Sequence, residues 1–252
     1  MDVKKELFIY TLRLGDDALI LGHRLSELCS RAPFLEEDLA LTNISLDLIG
    51  RAQAVLKYAA DLDERMITED DLAYRRPENE YYSHLICEQP NGDFAHVIAR
   101  QFFISVYEYY FFRELCKSKD ETLAAIAAKT FKEVTYHMEH ACNWVIRLGD
   151  GTEESRQKMQ SAIEDLWMYT GELFEMDYVD DMLLAAGIAV DKTNLKEKWN
   201  KTITETLSEA TLTLPEQKFM QTGSRKGIHT ECMGHILSEM QYLQRAYPDA
   251  KW

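Results

Sequence analysis

Apolar residues recur at helical spacing through most of this chain, and turn-forming clusters interrupt them only a few times. Leu7, Phe8, Leu12, Leu14, Leu19, Leu21, Leu25 and Leu28 predict a helix over residues 4–30. Pro33 opens a second helix with Glu36, Glu37 and Asp38 in its first turn, where negative charge suits the helix dipole, and the pattern runs to about Ala60. Residues 61–92 are the first long interruption, marked by Arg75-Arg-Pro77 and Gln89-Pro-Asn-Gly92, with room for two short helices. Residues 93–117 form a helix that is apolar nearly all round, from Val97 and Ile98 to Phe111 and Phe112. Such a helix is either central in a bundle or covered by another chain. A long helix over 119–148 stops at Gly149-Asp-Gly151, and further helices are expected over 153–175, 177–186 (closed by Gly187), 192–212 (capped by Asp191) and 229–246. The expected fold is all-α: one domain over residues 1–252, of about six to eight helices, built on a long-helix bundle.

Composition narrows the function classes. Only 11 Gly and 5 Pro occur in 252 residues, too few for the many tight turns of a sheet protein. Lys plus Arg number 28 against 43 Asp plus Glu, a net charge of −15 that repels phosphate backbones and anionic lipid. Nucleic acid and membrane surfaces are therefore poor partners, and a basic protein surface is a better one. The five cysteines are scattered without a CxxC, which fits reduced thiols in a cytoplasm. The first ten residues lack a signal-type apolar core, and the apolar run Gln101–Phe112 is too short to span a bilayer.

Four long helices with an added helical set invite a test for a ferritin-like di-iron site. Such a site takes one Glu from each of two helices and Glu-x-x-His from each of two others, because residues three apart share a helix face. His23, His84, His137, His140, His229 and His235 follow Ile20, Tyr81, Val134, His137, Lys226 and Cys232 at that spacing. Asp93–His96 is the one acidic pair, and it sits at a helix start. No metal ligands and no catalytic residues are assigned on this pattern. Glu133-x-x-x-His137, with His140 one turn on, is the nearest alternative. Two or three ligands from one helix suit a polar pair holding helices in register better than a metal. No G-x-S-x-G elbow or phosphate loop occurs.

Several stretches together carry a resemblance: Thr11-Leu-Arg-Leu-Gly-Asp16, Asp38-Leu-Ala-Leu41, Ile44-Ser-Leu-Asp-Leu-Ile-Gly50, Glu88-Gln-Pro-Asn-Gly-Asp-Phe94, Gly187-Ile-Ala-Val-Asp191, His229-Thr-Glu231 and Glu239-Met-Gln-Tyr-Leu-Gln-Arg245. In this order, from Tyr10 to Trp252, the chain resembles the C subunits of the phenylacetyl-CoA epoxidases. That resemblance implies a ferritin-like helical subunit without metal ligands, in a multicomponent monooxygenase that epoxidises the ring of phenylacetyl-CoA. The implied partners are a catalytic di-iron A subunit, a small bridging B subunit and, indirectly, a reductase. No cofactor is expected on this chain.

The resemblance also implies a contact with the CoA part of ligands near Glu80, Tyr81, Tyr82, Ser83 and Asp181, although Glu80 and Asp181 are acidic, and the two tyrosines also suit core or interface positions. Asp17, Asp47, Arg100, Glu133 and His137, each on a long helix, are expected to form a vestigial polar site in the bundle centre. A homo-oligomeric helical scaffold, and an independent metalloenzyme centred on Glu133 and His137, are the alternatives.

Overall fold

The computed structural model of the chain describes residues 3–216, 218–248 and 250. Among the described residues all regular structure is helical: eleven α-helices and four short 3-10 turns. In order they are α1 (Val3–Ser26), α2 (Leu35–Leu62), α3 (Glu69–Tyr74), α4 (Leu85–Glu88), α5 (Phe94–Leu115), α6 (Glu121–Gly149), α7 (Glu153–Trp167), α8 (Tyr178–Ala185), α9 (Lys196–Glu209), α10 (Glu231–Met240) and α11 (Tyr242–Ala246). The backbone groups into two compact units. One holds Met1–Ser30, Asp38–Pro90 and Gly223–Trp252, and the other Arg31–Glu37 and Asn91–Thr222.

In the first unit α1 is buried along most of its length, from Tyr10 to Leu25. It approaches α2 closely because Gly15 and Gly22, seven residues apart, present no side chain. A Cβ on Gly15 would stand 2.6 Å from Leu56, and one on Gly22 2.9 Å from Ile49. The Ser45 hydroxyl of α2 donates to the Gly22 carbonyl at 2.8 Å, so the glycine contact also satisfies a buried hydroxyl. α1 ends at Ser26, before the expected residue 30. Leu28 and Cys29 donate to carbonyls three residues back, and Ser30 turns left-handed at φ 68°.

In the second unit α5 is the central element, packed against α6, α7 and α9. Of its residues, Ala95, Val97–Glu108, Phe111, Phe112 and Leu115 are buried. Its all-round apolarity is thus spent within the unit, and it is not a surface left for another chain. Phe102, Phe103, Trp167, Phe174 and Trp199 form an aromatic cluster around it, with ring centroids 5.4–5.9 Å apart in tilted and edge-on pairs. The Trp199 indole N–H donates to the Phe103 carbonyl at 3.0 Å, so the indole is enclosed without an orphan donor.

Four helices begin at side-chain caps that the sequence reading did not name. Asp93, Asp120, Thr152 and Asp177 cap α5, α6, α7 and α8 by accepting first-turn amide hydrogens. Gly187, at φ +76°, closes α8 by donating to Leu184, while Ile188 donates to Leu183. Asp191 caps a 3-10 turn, Lys192–Leu195, ahead of α9. Interior breaks were not legible. The expected helix 153–175 stops at Trp167, because residues 220–221 cross it. Gln221 donates to the Met168 carbonyl, and Met220 presses on Gly171 with no room for a Cβ. The last helix divides at Gln241, whose side chain turns inward. These short elements raise the helix count above the expected number. The five cysteines form no disulfide, and among the described residues no helix is long and apolar enough to cross a membrane.

Two glycines give opposite expectations. A Cβ at Gly149 would be driven into the Ala210 carbonyl, so Gly149→Ala should cost about 1–3 kcal/mol. Gly50, inside α2, has nothing within 4 Å of a Cβ, and Gly50→Ala should gain about 0.5–1 kcal/mol. Urea unfolding of the two variants measures both. A tolerated Gly149→Ala would mean that the α6–α9 connection yields more readily than its packing implies.

Candidate functional site

The densest polar chemistry among the described residues lies inside the first unit, where α1, residues 72–90 and residues 224–241 meet. Asp16 is fully enclosed and faces Arg76, whose Nη1 donates to Oδ2 at 3.1 Å and whose Nη2 donates to Oδ1. The Tyr82 amide adds a third bond, at 2.9 Å. Burial pushes the Asp16 carboxyl upward and Arg76 opposes that. With three donors on its two oxygens the pair is read as ionic. Arg76 also donates to the carbonyls of Leu72 (2.5 Å) and Glu80 (2.6 Å) and stacks over the Tyr81 ring at 4.1 Å, so one guanidinium organises the whole turn 72–82.

The next residue, Asp17, receives the His84 amide at 2.7 Å, His84 Nδ1 at 3.0 Å and Arg225 Nη2 at 2.9 Å. Burial works against its ionisation, but Arg225 and His84 outweigh it and hold the carboxyl well below the usual carboxylate range. Arg225 also donates to the Tyr82 carbonyl.

Glu88 and His229 form the third pair, with both side chains wholly buried. Glu88 Oε1 accepts from the Thr230 amide (2.6 Å) and hydroxyl (2.7 Å), and Oε2 faces His229 Nδ1 at 2.8 Å. His229 Nε2 faces the Tyr81 carbonyl at 2.8 Å. Both ring nitrogens thus meet acceptors, the arrangement of an imidazolium. Burial opposes that charge, but the Glu88 and Tyr81 bonds and the nearby Glu88 and Glu78 charges outweigh it and raise the His229 pKa. Arg24 donates to the Glu88 carbonyl at 3.0 Å, and Gln241 donates to the Arg76 carbonyl (2.9 Å) and the Tyr81 hydroxyl (2.8 Å). Every acid here is held by a donor, so the arrangement fixes chain segments and presents no free base or nucleophile to solvent. Above it an open groove of about 630 Å³ is lined by Glu78, Leu237, Ser238, Tyr242 and Arg245.

A model of the family described as phenylacetic acid catabolic protein matches residues 2–252. The chain belongs to this family. Within it, the C subunit of the 1,2-phenylacetyl-CoA epoxidase of Escherichia coli (strain K12) is 49% identical over 247 residues, covering 98% of this chain and 99% of that protein. The all-α architecture is that of the ferritin-like class.

The structure assigns uneven places to the residues expected to matter in this phenylacetic acid catabolic protein. Tyr81 and Ser83 are fully buried, so neither reaches a CoA in solution. Tyr81 is a core residue, its hydroxyl donating to the Ala73 carbonyl at 2.6 Å. Tyr82 is half-buried and spends its backbone on Asp16 and Arg225, while Glu80 and Asp181 are exposed acids. Of the expected vestigial site, Asp17 joins the first-unit network and Asp47 is half-buried on α2. Arg100 is buried and donates to Asn91 at 2.6 Å. Glu133 faces Lys129 of its own helix at 3.5 Å, and His137 is buried on α6. His140 pairs with Glu37 at 2.8 Å.

Among the described residues no three of His, Cys, Asp and Glu stand where they could hold one metal ion, so the residues present do not fit an iron centre. The network Asp16–Arg76, Asp17–His84–Arg225 and Glu88–His229 was missed as a unit. The quoted stretches did include Asp16, Glu88 and His229, and with 60 to 208 residues between partners that inclusion was the available signal.

Removing one partner should be costly. Arg76→Met leaves Asp16 enclosed without its counter-charge and should cost about 3–5 kcal/mol in urea unfolding at neutral pH. Loss under about 1 kcal/mol would show that Asp16 is neutral in the fold.

The Glu88–His229 pair has a pH signature. A raised folded-state pKa gives stability that is complete below the unfolded value, near 6.5, and is lost as pH rises through the folded value. Stability should therefore fall from pH 6 to pH 9 by more in the wild type than in His229→Gln. Equal slopes would place His229 neutral.

Proposed function

We propose that this chain is the non-catalytic C subunit of a 1,2-phenylacetyl-CoA epoxidase, acting with a di-iron A subunit in aerobic phenylacetate breakdown. The end-to-end identity to the corresponding E. coli protein carries this reading. It is supported by the absence of any Glu-x-x-His on the long helices and of a metal-sized ligand group among the described residues. In this reading the chain binds no iron, forms one domain over residues 1–252, and works in the cytoplasm. A small bridging subunit and a reductase complete the assembly, and phenylacetyl-CoA is met only through the complex. The enclosure of Tyr81 and Ser83 favours packing over ligand contact for residues 80–83.

What the fold supplies to such a complex is two internally ordered units. The buried ion pairs fix the first unit and the aromatic cluster fixes the second, so each has one well-defined surface to offer a partner.

Purified alone and loaded anaerobically with ferrous iron, the protein should retain well under one iron per chain and should not epoxidise phenylacetyl-CoA. Adding it to the A subunit should restore activity that the A subunit lacks alone. Stoichiometric iron that Glu133→Ala removes would favour the independent metalloenzyme. Full activity of the A subunit without this chain would end the subunit reading.

A further inference from the structure

Residues 223–230, which lead into α10, form a strap held to the rest of the first unit at two points. At one point Arg225 donates to Asp17 at 2.9 Å and to the Tyr82 carbonyl. At the other, His229 faces Glu88 and the Tyr81 carbonyl, each at 2.8 Å, and Thr230 donates to the same carboxylate. Gly227, left-handed at φ +73°, lies between the two points, and Gly223, at φ +125°, precedes both. A Cβ on Gly227 would be driven into the Asn79 carbonyl, so the strap lies directly on the turn beneath it. Its outer side is open, with Lys226 and Ile228 exposed.

The two points differ in chemistry. A guanidinium keeps its charge throughout the range in which proteins fold, and Asp17 stays ionised beside it. An imidazolium does not. His229 meets acceptors at both ring nitrogens, and a neutral ring has a single N–H to donate. Loss of the ring's charge therefore takes a donor from Glu88 or from the Tyr81 carbonyl, and it takes the counter-charge from a wholly enclosed carboxylate. The charged groups around the ring are Glu88 of α4 and Glu78 of the turn 78–80, with Arg24 of α1 on the Glu88 carbonyl at 3.0 Å. The two acids favour the protonated ring, so the contact is complete at low pH and is lost as pH rises.

We propose that residues 227–230 are a pH-released latch, lifting about Gly227 when His229 loses its proton while Arg225 keeps residues 223–226 in place. Lifting breaks the two Thr230 bonds and admits water to Glu88, which solvates the carboxylate that the neutral ring has stranded. The Tyr81 carbonyl and the Glu88 carboxylate, sealed in the protonated form, become accessible in the open one. Such an opening is local, because the Asp16–Arg76 pair and the Arg225 contacts contain no group that titrates with the ring.

The test is amide hydrogen exchange of the full chain at pH 6 and pH 9, read on short peptides and corrected for the intrinsic effect of pH. Between the two, protection of residues 227–230 should fall roughly tenfold more than that of residues 223–226. His229→Gln should abolish that pH dependence, leaving 227–230 weakly protected at both values. Glu88→Gln, with no charge to strand, should make protection flat with pH, and it carries the test if His229→Gln does not fold. Wild-type protection of 227–230 that is constant between pH 6 and pH 9 overturns the latch. A loss that proceeds in step with α1 also overturns it, since the event is then unfolding of the whole unit. So does a wild-type pH dependence kept by both variants, since another group is then titrating.

Discussion

The first unit depends on one constraint: a carboxylate taken out of water must be met by donors. Asp16 and Glu88 are fully enclosed, and their partners come from segments far away in sequence, Arg76 in one case and His229 with Thr230 in the other. Removing either partner would strand a charge at a cost of several kcal/mol, comparable to much of a domain's net stability. The three pieces of chain that build this unit therefore have to arrive together. Apolar contact alone tolerates sliding and repacking, whereas the Asp16 and Glu88 bonds fix both register and direction. The same bonds order the irregular backbone of residues 75–84, which has little helix of its own to satisfy its carbonyls.

The second unit combines buried charge with shape: Lys192 faces Asp180 at 3.0 Å, and Arg100 is enclosed on α5. There α5 is sheathed by α6, α7 and α9, and the rings of Phe103, Trp167, Phe174 and Trp199 interlock around it. Its directional bonds include the Trp199 N–H to the Phe103 carbonyl and the Tyr110–Thr202 hydroxyl pair at 2.8 Å. The two units thus weight their means of order differently: ion pairs between distant segments dominate in the first, and interlocking rings in the second.

Local features of this fold were legible in the sequence because their causes are local. Asp93 and Asp191 announce helix starts, and Gly187 announces a stop, because capping involves residues two to four apart. The break after Trp167 was not legible, since its cause is Met220, some fifty residues away, lying against Gly171. Tyr81 illustrates the same limit at the site. Its neighbours Glu80 and Tyr82 read as a polar, accessible stretch, yet the ring lies under Arg76 and its hydroxyl is consumed by Ala73 and Gln241. The search for Glu-x-x-His could be made on the sequence because that motif is local to a helix, whereas the pairing of Asp16 with Arg76 has no local signature.

Mean apolarity and exposed apolarity also part company here. α5 is apolar on nearly all its sides, and it is consumed by its own unit. α2 is more mixed in composition, and it leaves leucines in water. The reason is geometric. A helix apolar on all sides finds shelter only at the centre of a fold, and once there it has nothing to offer a partner. A helix with one face committed to α1 through Gly15 and Gly22 has a second face free, so apolar residues on that face remain uncovered within the unit. Surface leucines on so acidic a chain lie among carboxylates that repel both like-charged copies and nucleic acid.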